Sequence, residues 1–367
     1  MLRSKFYPLP KQKPSIIYQY RFFNQRTLYL FMNILVTGGA GFIGSHTVVA
    51  LSEAGFTPII VDDFSNSNHS VLRGIEKILG HKPRCYPDSC HDSEVLRRIF
   101  TEQKISGVIH FAAFKAVGES MREPLKYYDN NVGSLIVLLQ TMLEYEIPNI
   151  IFSSSATVYG QPDVLPVTED TPDQPVASVY GHTKQIGEEI LRDVAAAEKP
   201  LKAISLRYFN PIGAHPSANI GELPIGVPNN LVPFITQAAA GLRPSLTVFG
   251  NDYPTPDGTC LRDFIHVMDL AEAHVAALKF LINNEKPTVY DVFNVGTGRG
   301  ASVLELIKTF EIISGKPLNY RIGERRHGDV SAVYADVTKI RQQLGWSAKR
   351  SMHEALEDAW RWQQSLV

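Results

Sequence analysis

An excess of charge of either sign is missing from this chain. Over 367 residues, 36 Lys and Arg face 37 Asp and Glu, a formal net of -1. That excludes a chain-wide polycation for nucleic acid, so any bound anion must be held locally. Cysteine is nearly missing too: Cys85, Cys90 and Cys260 are too few and too irregularly spaced for a disulfide framework or for paired C-x-x-C zinc motifs. They point to a reducing, cytoplasmic setting and to no metal centre, and Cys85, in a short apolar run, reads as a small buried hydrophobe rather than a reactive thiol. No run approaches the roughly 20 apolar residues a membrane-spanning helix needs, so a soluble protein without a membrane partner is expected. Acidic residues are absent from residues 1–31, which carry Arg3, Lys5, Lys11, Lys13, Arg21 and Arg26. With Met32 immediately before the first clear strand, this segment reads as an upstream-start or disordered extension, its rival being a basic targeting segment. It is set aside from the fold.

What the chain does have, at 44% hydrophobic and 20% charged residues, is enough apolar material for a sizeable core. Short apolar runs at 34–36, 57–62, 107–113, 149–153 and 203–208 alternate with helical patterns such as 42–54, closed by Gly55, and 132–145, ended by Pro148. Runs without polar alternation are strands covered on both faces. The expected fold is α/β, a doubly wound parallel sheet of the Rossmann type over 32–209. From about Asn210 the chain turns Pro- and Gly-rich, and 210–367 is expected to form mainly a smaller α/β substrate-binding region. Segments near 263–300 are expected to return to the first lobe, with Asp269 as N-cap of a helix over 270–280 and a strand at 289–295.

Gly38, Gly41 and Gly44, spaced G-x-x-G-x-x-G, follow a strand and open a helix. The first glycine permits the tight turn, the second lets backbone approach a pyrophosphate, the third allows helix–strand packing, and the helix N-terminus faces the anion. About 20 residues on, the second strand ends in Asp62-Asp63. A carboxylate there accepts from ribose hydroxyls and repels a 2′-phosphate, favouring NAD over NADP; the blander reading is a solvated turn residue.

Tyr180 and Lys184 lie four apart in a helical segment and share a face. A buried ammonium beside a phenol, with the positive nicotinamide ring nearby, is expected to favour the phenolate and bring the tyrosine pKa toward working pH. The pair follows Ser153-Ser154-Ser155, at a strand's carboxyl end where ligands of open α/β sheets bind. Ser155 is placed to pass a proton or hold a substrate hydroxyl. Helix or turn capping rivals any such role for Ser153 and Ser154.

Together with Val108–Ala113, Lys115–Ser120, Tyr127–Asn131, Ser153–Gly160, Arg207–His215, Pro228–Leu231, Phe249–Thr255 and Arg262–Asp269, these motifs give a chain that resembles the UDP-glucose 4-epimerase family of the extended short-chain dehydrogenase/reductases, from Met32 nearly to the end. The resemblance implies an NAD enzyme in which Tyr180 takes the proton of the sugar 4-hydroxyl during a reversible oxidation at C4. It implies NAD contacts from Gly38, Gly41, Phe42, Ile43, Gly44, Asp62, Asn66, Ser67, Asp88, Ser89, Phe111, Ala112, Lys115, Asn130, Asn131, Ser153, Tyr180, Lys184 and Phe209. The UDP-sugar would meet Lys115, Ser155, Tyr180, Asn210, Asn230, Leu231, Thr247, Phe249, Arg262, Arg326, Asp329 and Val333. Arg262 and Arg326 suit pyrophosphate oxygens, the alternative being an exposed ion pair. A homodimer is implied as well.

Related dehydratases resemble Ser-Thr-Asp-Glu where this chain has Ser153-Ser154-Ser155-Ala156, which speaks against dehydration. A dehydratase or decarboxylase of the same superfamily and a non-catalytic NAD-binding sensor remain the rival readings. Within Gly328–Asp336, Val333 stands where some relatives have tyrosine. The smaller side chain either leaves room for a 2-N-acetyl group or simply fills core.

Overall fold

The computed structural model describes residues 29, 32–172, 174–176, 178–197, 199–326 and 329–367. Its first half runs β1 (Asn33–Thr37), α1 (Phe42–Glu53), β2 (Thr57–Val61), α2 (Ser70–Leu79), β3 (Arg84–Tyr86), α3 (Ser93–Gln103) and β4 (Ile105–His110). Two short helices follow, α4 (Val117–Arg122) and α5 (Pro124–Tyr127), then α6 (Ser134–Glu144), β5 (Asn149–Ser153), α7 (Val179–Ala196) and β6 (Lys202–Tyr208). Beyond them lie β7 (Asn210–Ile212), α8 (Leu231–Ala239), β8 (Leu246–Phe249), β9 (Leu261–Arg262), β10 (Phe264–His266), α9 (Val267–Asn283) and β11 (Val289–Val295). The chain closes with β12 (Ala301–Ser302), α10 (Val303–Ser314), β13 (Tyr320–Gly323), β14 (Ala332–Val333), α11 (Thr338–Leu344) and α12 (Met352–Ser365).

Seven strands form one parallel sheet in the order β11-β6-β5-β4-β1-β2-β3. Because every strand runs the same way, all the carboxyl ends emerge on one edge. The switch in winding direction falls between β1 and β4, where such sheets hold ligands. Both faces are covered. On one, Ile34, Val36, Val48, Ile60 and Leu278 pack together; on the other, Leu35, Ile59, Leu96, Val108 and Leu138 do. β11 brings residues 289–295 beside β6, and α9 packs against α1. The smaller sheets, β10 with β7, β12-β9-β14, and β13 with β8, gather around a third core containing Ile235, Val248, Leu306, Phe310 and Trp360.

Several boundaries differ from the sequence expectation. β4 ends at His110 rather than Ala113, its last rung to β1 being the Phe111 N–H to the Thr37 carbonyl (3.0 Å), beyond which β1 has ended. The helix expected to start at Val132 begins instead as a wide turn over Tyr128–Gly133 that feeds α6. Asp269 is not the cap of α9. His266 caps it, accepting from the Met268 N–H at 3.0 Å. Asp269 is buried within the first turn, accepting from the N–H groups of Lys349 and Arg350 and pairing with the Arg350 guanidinium. Tyr29 lies in the segment set aside from the fold, yet it is buried, 4.6 Å from the Phe56 ring, with its hydroxyl accepting from Asn283 at 3.1 Å. The rest of residues 1–31 lies outside the described residues.

No helix among the described residues is long and apolar enough to cross a membrane, and no cluster of His, Cys, Asp or Glu among them could hold a metal ion. All three cysteines are free thiols.

Candidate active site

The glycine turn between β1 and α1 is closed tightly on itself. Gly38 has φ +69°, and a Cβ there would lie 2.8 Å from the Ala112 nitrogen; one on Gly44 would lie 2.2 Å from the Gly38 carbonyl oxygen. Helix α1 starts with no side-chain cap and no acidic residue in its first turn, so no carboxylate of the helix itself opposes an anion at its positive end. Gly41, Phe42 and Ile43 form the partly exposed lip. Asp62 braces this turn: one oxygen accepts from the Ala40 N–H at 2.9 Å, the other from Phe64 N–H at 3.0 Å and Ser67 Oγ at 2.8 Å. A backbone cradle, an uncapped helix end and an adjacent carboxylate fit a dinucleotide.

Around this cradle the other expected contacts fall unevenly. Phe111 and Ala112 cross directly over it, and Asn66 is exposed on the loop after β2. Asp88 is paired with Arg98 at 2.6 Å, and Ser89 Oγ accepts from the His91 N–H at 3.2 Å. Asn131 is internally engaged: its amide donates to the Phe114 carbonyl and to Thr183 Oγ1, both at 3.0 Å, while its oxygen accepts from Phe114 N–H and from Asn130. It ties the loop after β4 to α7. Lys115 is exposed and lies 3.5 Å from Glu222, whose same oxygen accepts from the Asn230 amide.

Tyr180 stands in the first turn of α7, which Ser178 caps by accepting from the Gly181 N–H at 3.1 Å. Burial pushes the Tyr180 phenol up to about 12, against a hydrogen bond with Ser155 that lowers it. Lys184, one turn on, is buried and donates to the Ser153 carbonyl at 2.7 Å, with Nζ 5.9 Å from the Tyr180 ring centroid. Burial pulls its ammonium down to about 7, with Glu188 acting in the opposite direction. The sequence expectation rests on Lys184 together with the positive nicotinamide ring, and Lys184 by itself does not bring the phenol toward neutrality. The ammonium is itself desolvated and committed to a carbonyl, and burial of the phenol wins.

The serines divide their roles differently from the sequence reading. Ser153 Oγ shares a hydrogen bond with the Tyr208 hydroxyl at 2.6 Å, and Ser154 Oγ donates to Glu188. Ser155 does the capping, accepting from the Thr157 N–H at 3.2 Å, and it also bonds Tyr180. Glu188 was not singled out from sequence, and Arg207 and Tyr208 stood there only within a motif, with no role of their own. The signal for Glu188 was the four-residue spacing Tyr180, Lys184, Glu188, which continues one helix face.

In the smaller region, Asp329 lies between Arg326 Nη2 at 2.8 Å and Arg262 Nη2 at 3.6 Å, leaving one net positive charge. The Arg326 guanidinium sits 5.8 Å from the ring of Phe249, which is 45% exposed. Thr247 Oγ1 accepts from Arg321 at 3.3 Å. Asn230 and Leu231 open α8, and the exposed Asn210 is fixed by its N–H to the Asp263 carbonyl at 2.9 Å. Val333 pairs in register with Arg262 and is buried with Val158, Tyr159, Phe209 and Ala335. Gly328 lies outside the described residues.

Residues 35–359 match the family model described as GDP-mannose 4,6 dehydratase. The chain is similar to the UDP-glucose 4-epimerase of Bacillus subtilis (strain 168), at 50% identity over 92% of this chain and 98% of that protein. Among solved structures it is similar to the UDP-glucose-4-epimerase of Stenotrophomonas maltophila with bound NAD and formylated UDP-arabinopyranose, at TM-score 0.88 and 46% identity over 91% of this chain and 98% of that one. It is likewise similar to the UDP-glucose 4-epimerase of Bifidobacterium longum in complex with NAD+ and UDP, at TM-score 0.87 and 45% identity over 91% and 98%.

Proposed function

The chain belongs to the UDP-glucose 4-epimerase family, and on that premise we propose that it inverts C4 of a UDP-hexose, interconverting UDP-glucose and UDP-galactose. The observation that carries this reading is the juxtaposition of Tyr180, bonded to Ser155, with buried Lys184, on the sheet edge that holds the glycine cradle. NAD, when bound, supplies the hydride acceptor that makes C4 oxidation reversible. The residues do the rest. Tyr180 takes the proton of the 4-hydroxyl, Ser155 holds that oxygen's neighbourhood through its hydroxyl, and Lys184 stabilises the phenolate from the same helix face. Because the phenol of the ligand-free chain sits near 12, a further positive charge close to Tyr180 is needed before it works as a base at neutral pH. The oxidised cofactor carries one. Arg262 and Arg326 are the proposed pyrophosphate donors, opening their pairs with Asp329 toward the nucleotide.

UDP-galactose incubated with the chain is expected to give UDP-glucose of unchanged mass with no added cofactor; loss of water or carbon dioxide would instead support a dehydratase or decarboxylase. Tyr180→Phe is expected to lower kcat by at least about 100-fold while nucleotide recovered after denaturation stays at wild-type level. Near-normal turnover in that variant removes Tyr180 from the reaction. The remaining contacts that the resemblance implies, together with a homodimeric, cytoplasmic enzyme of galactose metabolism, belong to the same proposal. Light scattering at micromolar concentration tests the dimer. Activity on UDP-N-acetylhexosamines is proposed from the modest size of Val333; Val333→Tyr that leaves this activity intact argues for core filling alone.

A further inference from the structure

Below the reacting edge lies a buried ion pair that the proton-handling scheme does not use. Glu188, on α7 one turn beyond Lys184, and Arg207, on β6, are both almost fully buried and meet at 2.5 Å, with Arg207 Nε also 3.0 Å from the second carboxylate oxygen. Glu188 further accepts from Ser154 Oγ. Ser154 follows Ser153, whose carbonyl carries the Lys184 ammonium. A buried pair of this kind contributes little net stability compared with apolar residues of the same volume. Its placement is therefore better explained by what it holds.

We propose that Glu188 is a positioning residue of this centre: clamped by Arg207, it fixes the end of β5 through Ser154 and presents the buried negative charge that faces Lys184. The inference rests on the epimerase reading for its kinetic consequence. Other groups facing Lys184 are Tyr180 on its own helix, His110 on β4, and the Ser153 carbonyl and Phe152 ring on β5. Glu188 is faced from β6 by Arg207, from the turn after β5 by Ser154 and Tyr159, and from β11 by Tyr290. Among the groups acting on Lys184, Glu188 is the one that supports its charged form against burial.

The test is Glu188→Gln in the full chain as purified. The Lys184 side-chain resonance, assigned by its loss in Lys184→Met, is followed by 13Cε NMR across pH, a readout that needs no turnover. In Glu188→Gln the Lys184 midpoint is expected at least one pH unit lower, and the alkaline limb of kcat moves down with it while KM changes less than about twofold. Glu188→Asp, which keeps the charge, is expected to lower Tm but to restore both midpoints. Should Glu188→Gln not fold, Glu188→Gln/Arg207→Met removes both charges and is expected to show a smaller downward shift, because loss of the Arg207 guanidinium acts on Lys184 in the opposite direction. An unmoved Lys184 midpoint in the folded single or double variant overturns the proposal. Absence of epimerisation by the wild type, with the NMR shift still present, would instead overturn the epimerase reading alone.

Discussion

At Gly44 there is space for a hydrogen and nothing larger, because the atom a Cβ would strike, 2.2 Å away, is the backbone oxygen of Gly38 and cannot rotate aside. Gly44→Ala is therefore expected to destabilise the chain by about 2–3 kcal/mol and to strip it of nucleotide. Tm and the NAD released per chain on denaturation check this; full occupancy at an unchanged Tm would contradict it. That glycine was legible from spacing alone, since a tight turn between strand and helix leaves few alternatives. The environment of Tyr180 was not. Its helical partner Lys184 could be read four residues on, but the balance between a neighbouring ammonium and burial depends on what the ammonium is bonded to. Here that is the Ser153 carbonyl, supplied by a strand some thirty residues earlier. Likewise, three consecutive serines look alike in sequence, and only the turn after β5 assigns one to Tyr208, one to Glu188 and one to the cap.

Among the elements, α9 does more than its apolar pattern announces. One face packs on α1, and its last turn receives Tyr29, held by Asn283 and lying under the Lys279 ammonium at 5.3 Å from the ring centroid. Tyr29→Ala is expected to cost about 3 kcal/mol, as for other buried aromatics. It should leave KM for a UDP-sugar unchanged, because the clasp sits at the opposite, amino-terminal side of β2. Chemical denaturation of this variant beside wild type measures it, and equal midpoints would show the contact to be idle. The basic, acid-free composition of residues 1–31 concealed Tyr29, since a single buried side chain leaves no periodicity. The start of α9 was misread for a related reason. Asp is the commoner cap, and a histidine that caps through Nδ1 is hard to tell from one that does not until its ring is located.

Over the whole molecule, three of the buried histidines among the described residues contribute to the response to acid. His46, His110 and His274 bond through Nδ1 to Phe42 O, Thr37 Oγ1 and Leu270 O, while each Nε2 is buried without a partner. Burial lowers them from 6.5 to about 3, about 3 and about 4 respectively. Folded pKa values below the unfolded ones mean that the unfolded chain takes up protons first as pH falls. Stability is then constant above 6.5 from this source and declines below it, by up to about 1.4 kcal/mol per pH unit for each imidazole. Urea midpoints at pH 7 and pH 5 should differ accordingly; coincident midpoints would exclude these imidazoles as the source. The parallel sheet itself was readable from unbroken apolar runs, because both faces are covered. Its strand order was not, since pairing of β11 with β6 joins residues 87 apart, as Val289 with Lys202. That pairing also has a temporal side. During synthesis the ribosome releases β6 long before β11 and α9, so the nascent chain must wait with an open sheet edge and an uncovered α1 until about residue 295 has emerged. A fragment stopped at residue 209 is stranded in that interval, and a chaperone, rather than the missing segment, becomes its natural partner.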